Sequence, residues 1–170
     1  MKKIVLLISV ILQHFIGLAQ PNVVWSKSYP DSTFGAVISD AITDNAGNII
    51  IAGARPYDNF INSIEPVVLK YDPSGNIILF WTHSDSLLDE RTTQIVCDSL
   101  NQLYLLTLVY GTSQATVHLI KIDGVTGQEL FNYPLGTGIY AGAIGINHQH
   151  LYVALGLPNL VLFKYDLQGN

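Results

Sequence analysis

Residues 44–81 read DNAGNIIIAGARPYDNFINSIEPVVLKYDPSGNIILFW, and their order of turn, strand, strand, turn and strand sets the expectation for the whole chain. Asp44 to Asn48 make an Asp-x-x-Gly-Asn turn in which Gly47 can take a positive φ without a Cβ clash. Ile49-Ile50-Ile51-Ala52 follows with no polar face at all, as expected of a strand covered on both sides. A more polar connection, Arg55 to Ser63, leads to Val67-Val68-Leu69-Lys70-Tyr71. Asp72-Pro73-Ser74-Gly75-Asn76 then turns the chain into Ile77 to Trp81, with Pro presetting φ and Gly supplying the left-handed position.

The same order recurs downstream, once fully and once cut short. Thr92 to Cys97, Leu103 to Leu106, Leu119 to Ile122 and Gln128 to Tyr133 are the strands of a second unit, with Asp123-Gly124-Val125-Thr126-Gly127 as its turn. Ala141 to Ile146, Leu151 to Ala154 and Val161 to Tyr165 belong to a third, which reaches Asp166-Leu167-Gln168-Gly169-Asn170 without a fourth strand. Upstream, Ala36 to Thr43 precedes the first turn as a strand, and Val23-Val24-Trp25 opens an extended segment that ends at Pro30-Asp31-Ser32. No stretch after residue 22 sustains a helical period, so the pattern is all-β. Lys70, Lys121 and Lys164 fall at one repeat position, 51 and 43 residues apart, near the period of about 40–50 residues of four-stranded propeller blades. Units of this kind bury their faces only by stacking on neighbours. The expectation is about a dozen strands in three four-stranded sheets, with Asn22 to Tyr29 closing the last as an outer strand.

Lys2 and Lys3, an apolar run from Ile4 to Leu12 and the small-residue patch Gly17-Leu18-Ala19 form a secretory signal peptide over residues 1–19, since the run is far shorter than the roughly 20 residues of a spanning helix. The repeat region is then 20–170, with units at about 36–81, 92–133 and 141–170. Cleavage after Ala19 leaves six basic against 13 acidic residues, a net charge of −7. The six (Lys27, Arg55, Lys70, Arg91, Lys121 and Lys164) are scattered, which argues against a nucleic-acid partner. Cys97, the single cysteine, lies in an apolar run and reads as a small buried hydrophobe. Folding therefore depends on apolar burial, to which a chain of this size commits about 70% of its unfolded surface.

Residues with possible chemistry have bland readings beside the sharp ones. His148 and His150 could share a strand face as metal ligands, but no acid or Cys stands within a few residues, and a polar turn is the expectation. Asp72, Asp123 and Asp166 each begin a hairpin turn, where Asp caps its own backbone. The three repeated lysines are expected to lay their stems on apolar surface with the ammonium in water, and Asp89-Glu90-Arg91 to form a solvated connecting loop. No Gly-x-Ser-x-Gly, phosphate-binding or His-Glu-x-x-His motif is present, and nothing indicates a cofactor.

Residues 36–81 resemble the β-propeller repeat of secreted bacterial proteins (quinoprotein-like or YVTN-like blades). Its marks are an Asp-x-x-Gly-Asn turn, a Tyr-Val-Ala-Gly-like strand and a Lys-Tyr-Asp-x-x-Gly-Asn segment ending near Trp; here these are Asp44–Asn48, Ile50–Gly53, Lys70–Asn76 and Trp81. The second unit departs with Asn101 for Gly47 and Thr107 for Gly53, and the third has Asn147-His148-Gln149-His150 in place of the first turn. The resemblance implies a partial propeller outside the cytoplasm: secreted, periplasmic or on the cell surface. Its expected role is a binding or scaffold surface for a protein or carbohydrate ligand; the alternative is a fragment of a quinoprotein-like or lyase-like propeller enzyme with catalytic residues in other blades. Loops between second and third strands and between units share one face of a propeller, so Arg55, Tyr57, Asp58, Asp89, Arg91 and Tyr110 are the candidate binding residues. Three units are too few to close a ring. The turn at Gly169-Asn170 favours a chain that continues into further blades over two copies pairing into six.

Overall fold

The computed structural model describes residues 23–27, 36–56, 64–83, 88–111, 114–137, 141–156 and 160–170. The segment read as a signal peptide lies outside the described residues, as do Tyr57, Asp58 and the end of the Asn22–Tyr29 segment. Among the described residues there are eleven strands and no helix. β1 (Val37–Thr43), β2 (Ile49–Pro56), β3 (Ile64–Tyr71) and β4 (Ile77–Thr82) form one antiparallel sheet in chain order. β5 (Asp89–Cys97), β6 (Gln102–Tyr110), β7 (Ala115–Asp123) and β8 (Glu129–Thr137) form the second; β9 (Ala141–Ile146), β10 (His150–Gly156) and β11 (Leu160–Asp166) form the third.

Local turn chemistry sets the hairpins. Asp44 Oδ1 accepts the amides of Ala46 and Asn48, both at 2.9 Å, and Asp72 repeats this with Ser74 at 2.9 Å and Asn76 at 2.8 Å. Asp98, Asp123 and Asp166 cap their turns in the same way. Asn101, which replaces Gly47, takes the same left-handed conformation with φ 62°, a region Asn tolerates because its short polar side chain can bond locally. The third unit solves the position with a shorter turn, in which Asn147 Oδ1 accepts the amides of Gln149 and His150.

Register makes the three units equivalent residue by residue. Lys70 lies opposite Ile50, Lys121 opposite Tyr104 and Lys164 opposite Tyr152. One step along, Val68 faces Ala52, Leu119 faces Leu106 and Leu162 faces Ala154. Two apolar layers glue the sheets into a stack: Ile50, Ala52, Val68, Leu79 and Trp81 meet Ile95, Leu103, Leu105, Ile120 and Ile122. On the other face of the second sheet, Tyr104, Leu106, Leu108, Val117 and Leu119 meet Leu151, Val153 and Leu155. At roughly 1.5–3 kcal/mol for each large aliphatic side chain fully buried, these layers dominate the stabilisation.

Three expectations are corrected. Asp89, Glu90 and Arg91 are the first residues of β5 and not a solvated loop; they pair with Tyr110, Val109 and Leu108, and Glu90 is buried. The strand ladder satisfies their backbone whatever their charge. Val23–Lys27 forms no strand and does not close the third sheet. It lies against the first, where the Trp25 ring sits 6.2 Å from that of Tyr71 and its Nε1 donates to the Pro73 carbonyl at 3.2 Å. Lys70 is buried, at 3% exposure, and does not snorkel.

Candidate functional site

Two of the three repeated lysines turn out to be contacts between sheets. Lys70 Nζ donates to the Gly124 carbonyl at 3.0 Å in the last hairpin turn of the second sheet. Lys121 Nζ does the same to Leu167 at 2.7 Å in the turn of the third. Gly124 and Leu167 both directly follow the capping Asp, as does Pro73, to which Trp25 donates. A second series runs through the first strands: Asp40 Oδ2 accepts the Ile95 amide at 3.1 Å, and Gln94 Oε1 accepts the Ile144 amide at 2.8 Å. Asp40 and Gln94 occupy one register position, opposite Ala52 and Leu106, just past a bulge in each strand. Ala143 holds that position in β9 and has no acceptor to offer.

Lys70 also forms an ion pair with Asp44 at 2.9 Å, both side chains almost wholly out of solvent. Burial alone would raise the Asp44 carboxyl, but hydrogen bonds from Lys70, Asn48 and Ala46 outweigh it and bring it down to about 2. The backbone amides of Thr126 and Val125 hold Asp123 at about 2 as well. A carboxyl whose folded value lies below its unfolded 3.8 stabilises fully above that value, and the contribution disappears as pH falls through the folded one. The unfolding free energy from urea titration is therefore expected to be level from neutral pH to about 4 and to fall between about 4 and 2, by on the order of 2 kcal/mol for Asp44 alone. Asp44→Asn should flatten much of that slope, and an unchanged slope in a urea titration across this range would count against the assignment.

The structure brings part of the expected binding face together. Asp89 Oδ1 accepts the Ile64 amide at 3.1 Å, which puts the start of β3 and the start of β5 at one end of the stack. There Arg55 pairs with Glu65 at 2.5 Å and lies over the Phe80 ring, 5.1 Å from its centre. Tyr110, opposite Asp89, is exposed. Arg91 stands opposite Leu108, two residues further along, with Nε buried and making no hydrogen bond among the described residues. Tyr57 and Asp58 lie outside the described residues.

The opposite end holds a feature that the sequence reading missed. The three first-hairpin turns converge there on a recess of about 410 Å³, lined by Thr43, Asp44 and Asn45, by Cys97, Asp98 and Ser99, and by Ile146, Asn147 and His148. Asp44, Asp98 and Asn147 are one repeat position, and that equivalence was the available signal. Asp98 Oδ2 is 3.1 Å from the Tyr104 hydroxyl, whose single proton can go to it or to the Leu167 carbonyl at 2.9 Å. Burial, with the Asp98 charge beside it, pushes the Cys97 thiol up to about 11, so the thiolate is scarce at neutral pH. His148 and His150 belong to the turn and to the first position of β10, the latter ring 6.3 Å from that of Tyr152.

No family model matches the chain, and no curated protein matches it. Fold and contacts together define a class: an all-β protein of repeated antiparallel sheets, stacked face to face and tied by hydrogen bonds at equivalent positions. No helix among the described residues is long and apolar enough to cross a membrane.

Proposed function

We propose that this chain is a secreted binding or scaffold module whose sheets are propeller blades, and that it presents the end carrying Arg55, Asp89, Arg91 and Tyr110 to a protein or carbohydrate ligand outside the cytoplasm. The observation that carries this reading is where the polar side chains go. The repeat aspartates cap their own turns, and Lys70 and Lys121 bond the neighbouring sheet. These groups are committed to architecture, which leaves recognition to the strand ends. The matching register of the inter-sheet contacts supports a radial stacking of blades, with first strands innermost, since β5 packs against both β1 and β9.

A glycan array probed with the chain lacking residues 1–19 tests the proposal. Selective binding is expected, weakened by at least about fivefold in Tyr110→Ala, because truncating an aromatic hot-spot anchor costs more than about 1 kcal/mol. Asn45→Ala, at the far end, should leave it unchanged. Binding that survives Tyr110→Ala and Arg91→Ala but is lost in Asn45→Ala or His148→Ala would move the site to the recess and overturn the assignment.

A further inference from the structure

The donor series has a member with no acceptor. Trp25 reaches Pro73, Lys70 reaches Gly124 and Lys121 reaches Leu167, whereas Lys164, at the same register as Lys70 and Lys121, is exposed and donates to no group among the described residues. Its surroundings follow suit. Val68 and Leu119 are completely buried at the position where Leu162 is 67% exposed, and Leu160, equivalent to buried Val117, is 80% exposed. A Cβ on Gly145, beside Tyr152 on the same face, would meet nothing within 4 Å. The third sheet thus carries the donating face of an inter-sheet contact already seen twice in this fold, and none of the described residues covers it.

The first sheet carries the receiving counterpart. Ile51, Leu69 and Tyr71 hold the register of Leu105, Ile120 and Ile122, which receive the preceding sheet in the second. With Val37, Ile38 and Val67, they line an apolar recess of about 360 Å³. Of the described residues of the N-terminal segment, Trp25 lies against the Tyr71 end of this face and Lys27 lines the recess. The Pro73 carbonyl that Trp25 occupies retains a second lone pair.

We propose that the outer face of the third sheet docks on the first sheet of a second copy of this chain, head to tail. Leu160 and Leu162 would enter the recess beside Val37 and Ile38, and Lys164 would donate to the partner copy's Pro73 carbonyl. The sequence alone favours further blades of the same chain; what argues instead for a second copy is continuity, since this chain itself supplies both complementary faces. The two faces are the two halves of an interface that the chain builds twice within itself, and they lie at opposite ends of the stack. Such a contact is heterologous and must either close or propagate; two copies closing would make a ring of six sheets, within the range of about 4–8 for propellers. The inference deepens the blade reading of the proposed function and leaves the ligand-binding end uninvolved.

Light scattering coupled to size exclusion, on the chain lacking residues 1–19, tests it. A discrete species of twice the chain mass is expected. Its apparent dissociation constant should rise by at least about tenfold in Leu162→Glu, a loss of 1.4 kcal/mol or more, and similarly in Ile38→Glu on the other face. Mixing these two variants should partly restore the double mass, because each mixed pair retains one intact interface. That recovery also shows that both variants fold. A single-chain mass at every concentration up to about 100 µM, or a dimer indifferent to both substitutions, would overturn the proposal. Either result leaves glycan binding through Tyr110 to be judged separately.

Discussion

Lys70→Met is expected to destabilise the fold by about 3–5 kcal/mol, the cost of removing one partner of a buried ion pair. Met keeps most of the aliphatic stem that packs between the first two sheets, so the loss isolates the ammonium. Two groups are stranded at once: the Asp44 carboxylate, whose side chain is fully buried, and the Gly124 carbonyl across the interface. Asp44 retains its bonds from Ala46 and Asn48, which places the effect toward the lower part of that range. The same substitution at the equivalent positions supplies the control. Lys121, half-buried with its cation 5.0 Å from the Tyr104 ring centre, should cost less. Exposed Lys164→Met should stay within about 0.5 kcal/mol under conditions where the chain is a single copy. Urea unfolding of the three variants decides the matter, and equal losses at all three positions would show that the inter-sheet bonds are not what the lysines contribute. Acid sensitivity should shift too, since the Asp44 carboxyl, without the Lys70 hydrogen bond that helps hold it down, is protonated at a higher pH.

What was legible in the sequence is what is decided within a few residues. Asp44, Asp72, Asp123 and Asp166 announce their hairpins because the groups they bond lie two to four positions ahead, and the apolar runs between them became the expected strands. Strand ends were read short: β6 runs on through Thr107 to Tyr110, and β5 begins at Asp89. Polar residues there are satisfied by partners on other strands, as Thr107 is by Thr92 at 3.3 Å and Asp89 by Ile64, and local polarity gives no sign of that. The lysines were recognised as one repeat position but assigned to water, because the acceptors of Lys70 and Lys121 lie 54 and 46 residues away. Similarly, Trp25 reads locally as the middle of a strand, and only its bond to Pro73, 48 residues on, shows it covering the first sheet. Of the candidate binding residues, Arg55, Asp89 and Tyr110 share one end of the stack because alternating hairpins return every second connection to the same side. The recess at the other end follows from the same alternation and could have been anticipated by aligning Asp44, Asp98 and Asn147.

Gly124→Ala is the second large effect expected, and it tests whether turn and interface act as one unit. The equivalent positions hold Pro73 and Leu167, so a side chain is not forbidden by the turn type itself. The second sheet differs because its turn spans one residue more: Asp123 donates to the Gln128 carbonyl, whereas Asp72 donates to Asn76. The Gly124 amide thereby bonds the Asn101 carbonyl at 3.0 Å, and a Cβ at Gly124 would sit 2.1 Å from that oxygen and 3.1 Å from the Leu103 side chain. Because the first obstacle is backbone, relief requires the whole turn to move, at a cost of about 2–3 kcal/mol in the manner of an overpacked site. Movement of the turn displaces the carbonyl that Lys70 bonds, so the two substitutions should not add. In a double-mutant cycle, Lys70→Met with Gly124→Ala should fall short of the summed single losses by on the order of 1–2 kcal/mol. Additivity within about 0.5 kcal/mol would mean that the turn relaxes without disturbing the Lys70 bond, and that the hairpin and the inter-sheet contact are independent.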